Sequence, residues 1–207
     1  MPASDTAPTD VDATHLDFSQ PDIVLRSGDN VRFNIARRDL ERTSGWFRDM
    51  FNMANRTNSA DESEEIPVFE DAAILEVVLK IALGQEVIPV AISTITACEL
   101  ALCAAMKYEM IGVTQVLKST LECLLWRNKD AWEQFILACR FGLHELKKDA
   151  LERCIGDELD YDKLSKLEKD DLLAFLRERD SRIKKSPRYE YVGPIVSYRS
   201  VRNPFAR

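Results

Sequence analysis

The residues most able to bind a metal or attack a substrate are two histidines and five cysteines, spread along a chain of 207 residues. His144-Glu145 begins as the zinc-helix motif H-E-x-x-H begins, but the closing position is Lys148, whose ammonium cannot replace an imidazole on zinc at neutral pH. His144 is therefore expected to be an exposed residue opening a helix over 144–156, and His15 falls in a polar N-terminal stretch. Cys98-x4-Cys103 and Cys139-x4-His144 come nearest to ligand pairs, yet five residues along a helix turns two side chains to different faces. Packing is the expected role of Cys98, Cys103, Cys123, Cys139 and Cys154, as free buried thiols in a reducing compartment. No cysteine has a suitable histidine to form a nucleophilic pair. The seven glycines are scattered singly, so neither a Walker nor a dinucleotide phosphate loop is present, and no G-x-S-x-G elbow occurs. Asp170-Asp171 lies where a helix should begin, and there the carboxylates serve the helix dipole. The chain is expected to have no catalytic, cofactor-binding or metal-binding residues, no cofactor, and no enzymatic activity.

A second chemistry is suggested by residues 34–51, where Arg37, Arg38, Arg42 and Arg48 are interleaved with Trp46, Phe47 and Phe51. Cations for phosphates and rings for bases make a nucleic-acid surface. However, Asp39, Glu41 and Asp49 offset three of the four arginines. Leu40, Phe47, Met50 and Phe51 also fall three, four or seven apart on one helical face. A pair of amphipathic helices with buried rings and solvated charges fits this pattern better than a phosphate patch.

Net charge over the chain is −7, which disfavours wholesale nucleic-acid binding. The charge is uneven. Residues 177–207 hold nine basic and three acidic residues, a net of +6, so the remainder carries −13. SRIKKSPR (181–188) suits nuclear import or an acidic partner, although a dipole-matched helix C-terminus accounts for it better. No apolar run approaches the roughly 20 residues of a membrane span, and the N-terminal stretch lacks the basic and apolar regions of a secretory signal. A cytoplasmic or nuclear protein is expected.

The elements follow from periodicity. Residues 1–20 have none and are expected to be disordered. Asp22–Arg26 and Val31–Ile35 flank Ser-Gly-Asp-Asn and predict a β-hairpin. Helices through residues 34–51 follow, with Ser44 as an N-cap, then an acidic loop at 52–65 and a short strand at 66–69. Asp71 should cap an apolar helix running to Leu83, with Glu76 and Lys80 paired on its exposed line. A small-residue helix at 94–108 should be the central packing element. Further helices are predicted near 111–125, 130–140, 144–156, 161–167 and 170–184, in a span free of proline from Pro89 to Pro187. This divides the chain into a tail (1–20), an α+β domain (21–125), a helical region (126–184) and a basic tail containing proline and tyrosine (185–207).

Several short runs resemble one family. Asp22-Ile-Val-Leu, Phe33-x-x-Ala36-Arg37-x-x-Leu40, Ser44-x-x-Phe47-x-x-Met50-Phe51 and Leu102-x-Ala-Ala-x-Lys-Tyr108-x-Met110 resemble the BTB/POZ domain in order and spacing. The hydrophobic helix 72–83 lies between them. The pattern is most similar to BTB proteins expanded in mushroom-forming fungi, whose later segment resembles Phe135-Ile-Leu-Ala-Cys-Arg-Phe-Gly-Leu143. The resemblance implies an α+β fold, a small sheet capped by helices, followed by an all-helical extension similar to the BACK region. It also implies a non-enzymatic protein–protein interaction module. Such modules self-associate, recruit a cullin scaffold of a ubiquitin ligase as substrate adaptors, or act in the nucleus as transcriptional co-regulators. Protein partners are expected, and neither a small-molecule substrate nor a membrane. Asp22 and Arg37 fall at the family's charged-pocket positions, but Ala36 stands where the family usually keeps a histidine. Leu83 stands where a tyrosine commonly ends the helix, residues 1–20 lack the pattern of a swapped strand and helix, and Met53-Ala54-Asn55 lacks the acid of a cullin-contact motif. The resemblance places a protein-interaction pocket at Asp22, Ala36 and Arg37.

Overall fold

The alternating residues build the expected hairpin. β1 (Ile23–Arg26) pairs antiparallel with β2 (Arg32–Ile35), Ile23 opposite Ile35 and Leu25 opposite Phe33. The structure, a computed structural model, describes residues 22–56, 65–85, 87, 89–157 and 160–185, so the expectations for residues 1–20 and for the basic tail past 185 lie outside the described residues. A period of two sets Ile23, Leu25, Phe33 and Ile35 on one face, and all four are buried. β3 (Glu65–Pro67) lies parallel to β1 with Ile66 beside Leu25, giving the order β2-β1-β3. On the other face Arg26 stands directly across from Arg32, a repulsive cross-strand pair. Glu65 offsets it, meeting Arg26 at 3.0 Å and Arg32 at 3.1 Å. This third strand starts one residue before the expected 66–69 and stops two residues sooner, because Phe69 turns out into solvent at 89% exposure.

Gly28 in the hairpin turn is required by a close approach. Its N–H donates to the Glu70 carbonyl at 2.9 Å, and a Cβ there would sit 2.7 Å from the Phe69 carbonyl oxygen. The turn is therefore held against the chain that leads into the third helix.

Among the described residues of the first part of the chain the helices are α1 (Arg37–Thr43), α2 (Gly45–Arg56), α3 (Ala72–Ala82), α4 (Ile95–Lys107) and α5 (Ile111–Arg127), with a 3-10 turn at Pro89–Ile92. Ser44 caps α2 as expected, its Oγ accepting the Phe47 N–H at 3.1 Å. Two expectations fail here. The segment from Asn52 is helical as far as Arg56 rather than a loop, since no glycine or proline stops the helix after its last core residue, Phe51. Asp71 has the N-cap position of α3 but accepts no capping hydrogen bond with its side chain. The N-terminus of α3 is instead served by Asp29 from the hairpin turn, whose Oδ1 accepts the Ala72 N–H at 2.9 Å.

Small residues do place α4 at the centre. Cys98, Ala101, Ala104 and Ala105 are all buried, and α4 packs against both α3 and α5. Glu76 and Lys80 form the expected pair at 2.5 Å, although the Lys80 side chain is largely covered.

By its internal contacts the chain divides into two compact units, Met1–Asp130 and Ala131–Arg207. The second holds α6 (Ala131–Phe141), α7 (His144–Cys154), α8 (Tyr161–Leu164) and α9 (Lys169–Lys185). Gly142, at φ 67°, makes the left-handed turn between α6 and α7. Phe175 is fully buried, 5.2 Å from the ring of Trp132 and 5.7 Å from that of Phe135, with Ala150, Cys154 and Leu164 around it. His144 is exposed at the start of α7.

The cysteines correct the expectation of uniformly buried thiols. Cys98 and Cys154 are buried, Cys139 is partly so, and Cys103 and Cys123 are exposed. Hydrophobic neighbours in sequence do not bury a thiol when its own face of the helix points outward.

Candidate interaction surface

The structure brings Asp22, Ala36 and Arg37 together where β1 begins and α1 starts. Asp22 Oδ1 accepts the Arg37 backbone N–H at 2.6 Å and so caps α1, whose own N-cap residue, Ala36, has no side-chain acceptor. The Arg37 guanidinium donates to Glu41 Oε1 at 3.0 Å and to the Phe51 carbonyl at 3.2 Å, and lies 4.4 Å from the centre of the Phe51 ring. Ala36 is buried at 2% exposure. Arg37 is thus already engaged on several sides, and Ala36 offers no side chain to a visitor.

Two of the three rings of residues 34–51 point inward, and the third, Trp46, corrects the expectation of buried rings by standing exposed. Phe47 and Phe51 are buried and stack at 6.1 Å, while Tyr108 stacks on Phe47 at 5.3 Å. Trp46, partly exposed, meets Tyr108 edge-on at 5.5 Å. The Tyr108 hydroxyl donates to Glu70 Oε2, and Lys107 Nζ donates to Glu70 Oε1 at 2.8 Å. Burial opposes ionisation of Glu70, but the hydrogen bonds from Lys107 and Tyr108 outweigh it and hold the carboxyl below its ordinary value. The Tyr108 phenol is pushed far up by burial and by the adjacent Glu70 carboxylate. This cluster ties the chain before α3 to the end of α4.

Beside it lies a groove of about 550 Å³ between the α1–α2 junction, the end of α3 and the start of α5. Ile81, Ala82, Ile111, Val113 and Val116 supply its apolar lining, and Arg42, Arg48 and Glu109 its charges. Its walls are fixed by backbone. The Gly45 N–H donates to the Glu109 carbonyl at 3.3 Å, and a Cβ at Gly45 would lie 2.5 Å from Glu109 Oε2. Ser44 Oγ donates to the Tyr108 carbonyl at 2.5 Å. Glu109 itself adopts φ 52°, the left-handed residue that lets α4 turn into α5. Ile111 is 75% exposed and Val116 49%, an unusual outlay of apolar surface for a solvent-facing site. Arg48 is exposed and has no ion pair among the described residues, and Arg42 reaches Asp39 only at 3.5 Å. Arrangements of this kind bind apolar side chains next to a carboxylate.

Sequence reasoning noticed Arg48 but not its partners in space. Val116 carried a signal, since it falls off the Val113–Leu117–Leu121–Leu125 stripe that α5 buries. A smaller recess of about 310 Å³ lies between Phe69, Ile74, Leu100, Cys103 and Lys107. Among the described residues no cluster of three or more His, Cys, Asp or Glu side chains could hold a metal ion, and no helix is long and apolar enough to cross a membrane.

No family model matches this sequence. No curated protein matches it either. Among solved structures, the chain is similar to the BTB domain of zebrafish PATZ1, with 16% identity and a TM-score of 0.38 over 49% of this chain and 75% of that one. The fold of the described residues is α+β: a three-stranded sheet with helices, followed by a unit whose described elements are helices.

Proposed function

We propose that the chain is a non-enzymatic protein-interaction module of the BTB type, acting as a scaffold or adaptor. The observation that carries this reading is the groove beside α5, with its exposed Ile111 and Val116 and an Arg48 that has no ion pair among the described residues. The order of elements supports it: a hairpin, a helix pair, a third strand and further helices is the order that the resemblance implies. The groove suits an amphipathic protein segment, apolar on the side that meets Val116 and acidic where it meets Arg48. Pull-down with the full chain and with Arg48→Glu, followed by titration of each recovered protein, tests the reading. A partner whose binding weakens in the variant supports it; recovery of none, or of partners indifferent to Arg48, rejects it.

A second reading makes the chain a substrate adaptor of a cullin ubiquitin ligase, favoured by the helical unit that follows the α+β unit. Titration with a cullin N-terminal region decides it, and no binding at high micromolar protein excludes it. A nuclear co-regulator working through the basic tail is a third reading, decided by localisation and nucleic-acid retention after removal of residues 181–207.

A further inference from the structure

We infer that the chain's own N-terminal segment occupies the groove through Leu16, Asp17 and Phe18, so that an outside partner must displace it. The inference rests on the groove being a protein-docking surface and names what fills it when no partner is bound.

The chemistry of the groove selects the occupant. Its lining is apolar, with Ile111 and Val116 exposed, and its charges are Arg42, Arg48 and Glu109, a net of +1. Arg48 has no ion pair among the described residues. A complementary segment brings large apolar side chains next to a carboxylate. Of the longer stretches outside the described residues, 1–21 alone has that character. It holds Asp5, Asp10, Asp12 and Asp17 with no lysine, arginine or glutamate, and Leu16 and Phe18 flank the last of these aspartates. Residues 57–64 carry Asp61, Glu62 and Glu64 but no large apolar residue, and 186–207 carry four arginines against Glu190.

Reach is the independent argument. Asp22 fixes the point where this segment joins the fold, its Oδ1 accepting the Arg37 N–H at 2.6 Å in the first turn of α1. The far end of α1, at Arg42 and Thr43, is an edge of the groove. The seven residues of α1 span about 10 Å, at about 1.5 Å per residue. Phe18 and Leu16 precede Asp22 by four and six residues, or about 13 and 20 Å of extended chain. Both reach the groove with no rearrangement of the described elements. Arg38 and Arg42, exposed and one turn apart on α1, put positive charge along the same path, where Asp17 meets it.

A segment tethered this closely acts at an effective concentration on the order of millimolar. Contacts too weak to hold a free peptide therefore suffice to cover the groove. Occupancy by the segment accounts for the apolar surface that Ile111 and Val116 otherwise leave to water.

The test uses the full chain with Val116→Cys in a Cys103→Ser, Cys123→Ser background. Timed labelling with a maleimide reads access to the groove. A second chain adds Leu16→Ser, Asp17→Lys and Phe18→Ser. The expected result is labelling about tenfold faster in the second chain, with circular dichroism unchanged. A cross-linking arm combines Phe18→Cys with Val116→Cys in the same background under mild oxidation. The expected product is an intramolecular disulfide between the two introduced thiols, mapped by mass spectrometry. Equal labelling rates overturn the inference. So does the absence of a cross-link, and so does a covalent dimer, which places the segment on a second copy. Each of these results leaves the docking reading of the groove to the separate Arg48→Glu binding test.

Discussion

Asp29 caps a helix that begins 43 residues later in the chain: its Oδ1 accepts the Ala72 N–H at 2.9 Å, while Ser27 Oγ donates to the same carboxylate at 2.5 Å. Asp22 does the same for α1, accepting the Arg37 N–H at 2.6 Å. One hairpin region therefore supplies an acceptor to one N-terminal amide of each of two helices whose own N-cap residues, Ala36 and Asp71, contribute no side-chain hydrogen bond.

Asp22→Ala and Asp29→Ala should each destabilise the first unit by about 1 kcal/mol, and nearly additively, since they serve different helices. The hydrogen bond from Ser27 is the main force holding the Asp29 carboxyl below its usual value. A lowered carboxylate stabilises the fold above its unfolded pKa of about 4, and this is lost as pH falls through the folded value. Denaturant titrations at neutral pH and at acid pH should show the Asp29→Ala penalty shrinking in acid.

Tyr108→Phe should cost about 1–3 kcal/mol, because it leaves the half-buried Glu70 carboxylate short of a donor. Its phenol is raised by burial and by Glu70, so the stability it contributes is complete below about pH 10 and falls only above that. Ultraviolet titration of tyrosine ionisation, compared between the parent and Tyr108→Phe, should show that Tyr108 resists ionisation until the protein unfolds.

Phe175→Ala should destabilise the second unit by about 3–5 kcal/mol, since its ring fills the space between Trp132 and Phe135. Limited proteolysis should then cut within 131–185 before it cuts the first unit. Equal protection of both units would count against that packing.

Thiol labelling under native conditions should modify Cys103 and Cys123 quickly and spare Cys98 and Cys154. Burial raises Cys98 to about 11 and Cys139 to about 12, so neither should react appreciably near neutral pH. Mass spectrometry of a timed alkylation reads the order directly.

Arg48→Glu should leave the unfolding free energy within about 1 kcal/mol of the parent, because the side chain is exposed and has no ion pair among the described residues to lose. It should nevertheless reverse the charge at the groove and abolish binding of an acidic partner segment. Calorimetric melting and partner titration together separate a docking role from a folding role.

The hairpin, the Ser44 cap and the succession of helices were legible in the sequence because each is a local matter. Alternation over four residues builds β1, and leucines four apart build the buried face of α5, whatever lies elsewhere. The charge balance of residues 34–51 likewise told correctly that Phe47 and Phe51 go inside. Beyond that reach, tertiary structure decided. Asp71 looked like the cap of α3, but the acceptor is Asp29, which only the docking of the turn at Gly28 brings near. Cys98 and Cys103 share one apolar helix, yet one is buried and the other exposed, because burial depends on which face the neighbouring helices cover. The groove gathers Arg48, Ile81 and Val116 from three helices, and no periodicity in one segment can announce a meeting of three. Local patterns set the elements of this protein, since their causes lie within a few residues. The caps of α1 and α3, the exposed thiols and the groove come from contacts between residues well apart in the chain, which packing alone brings together.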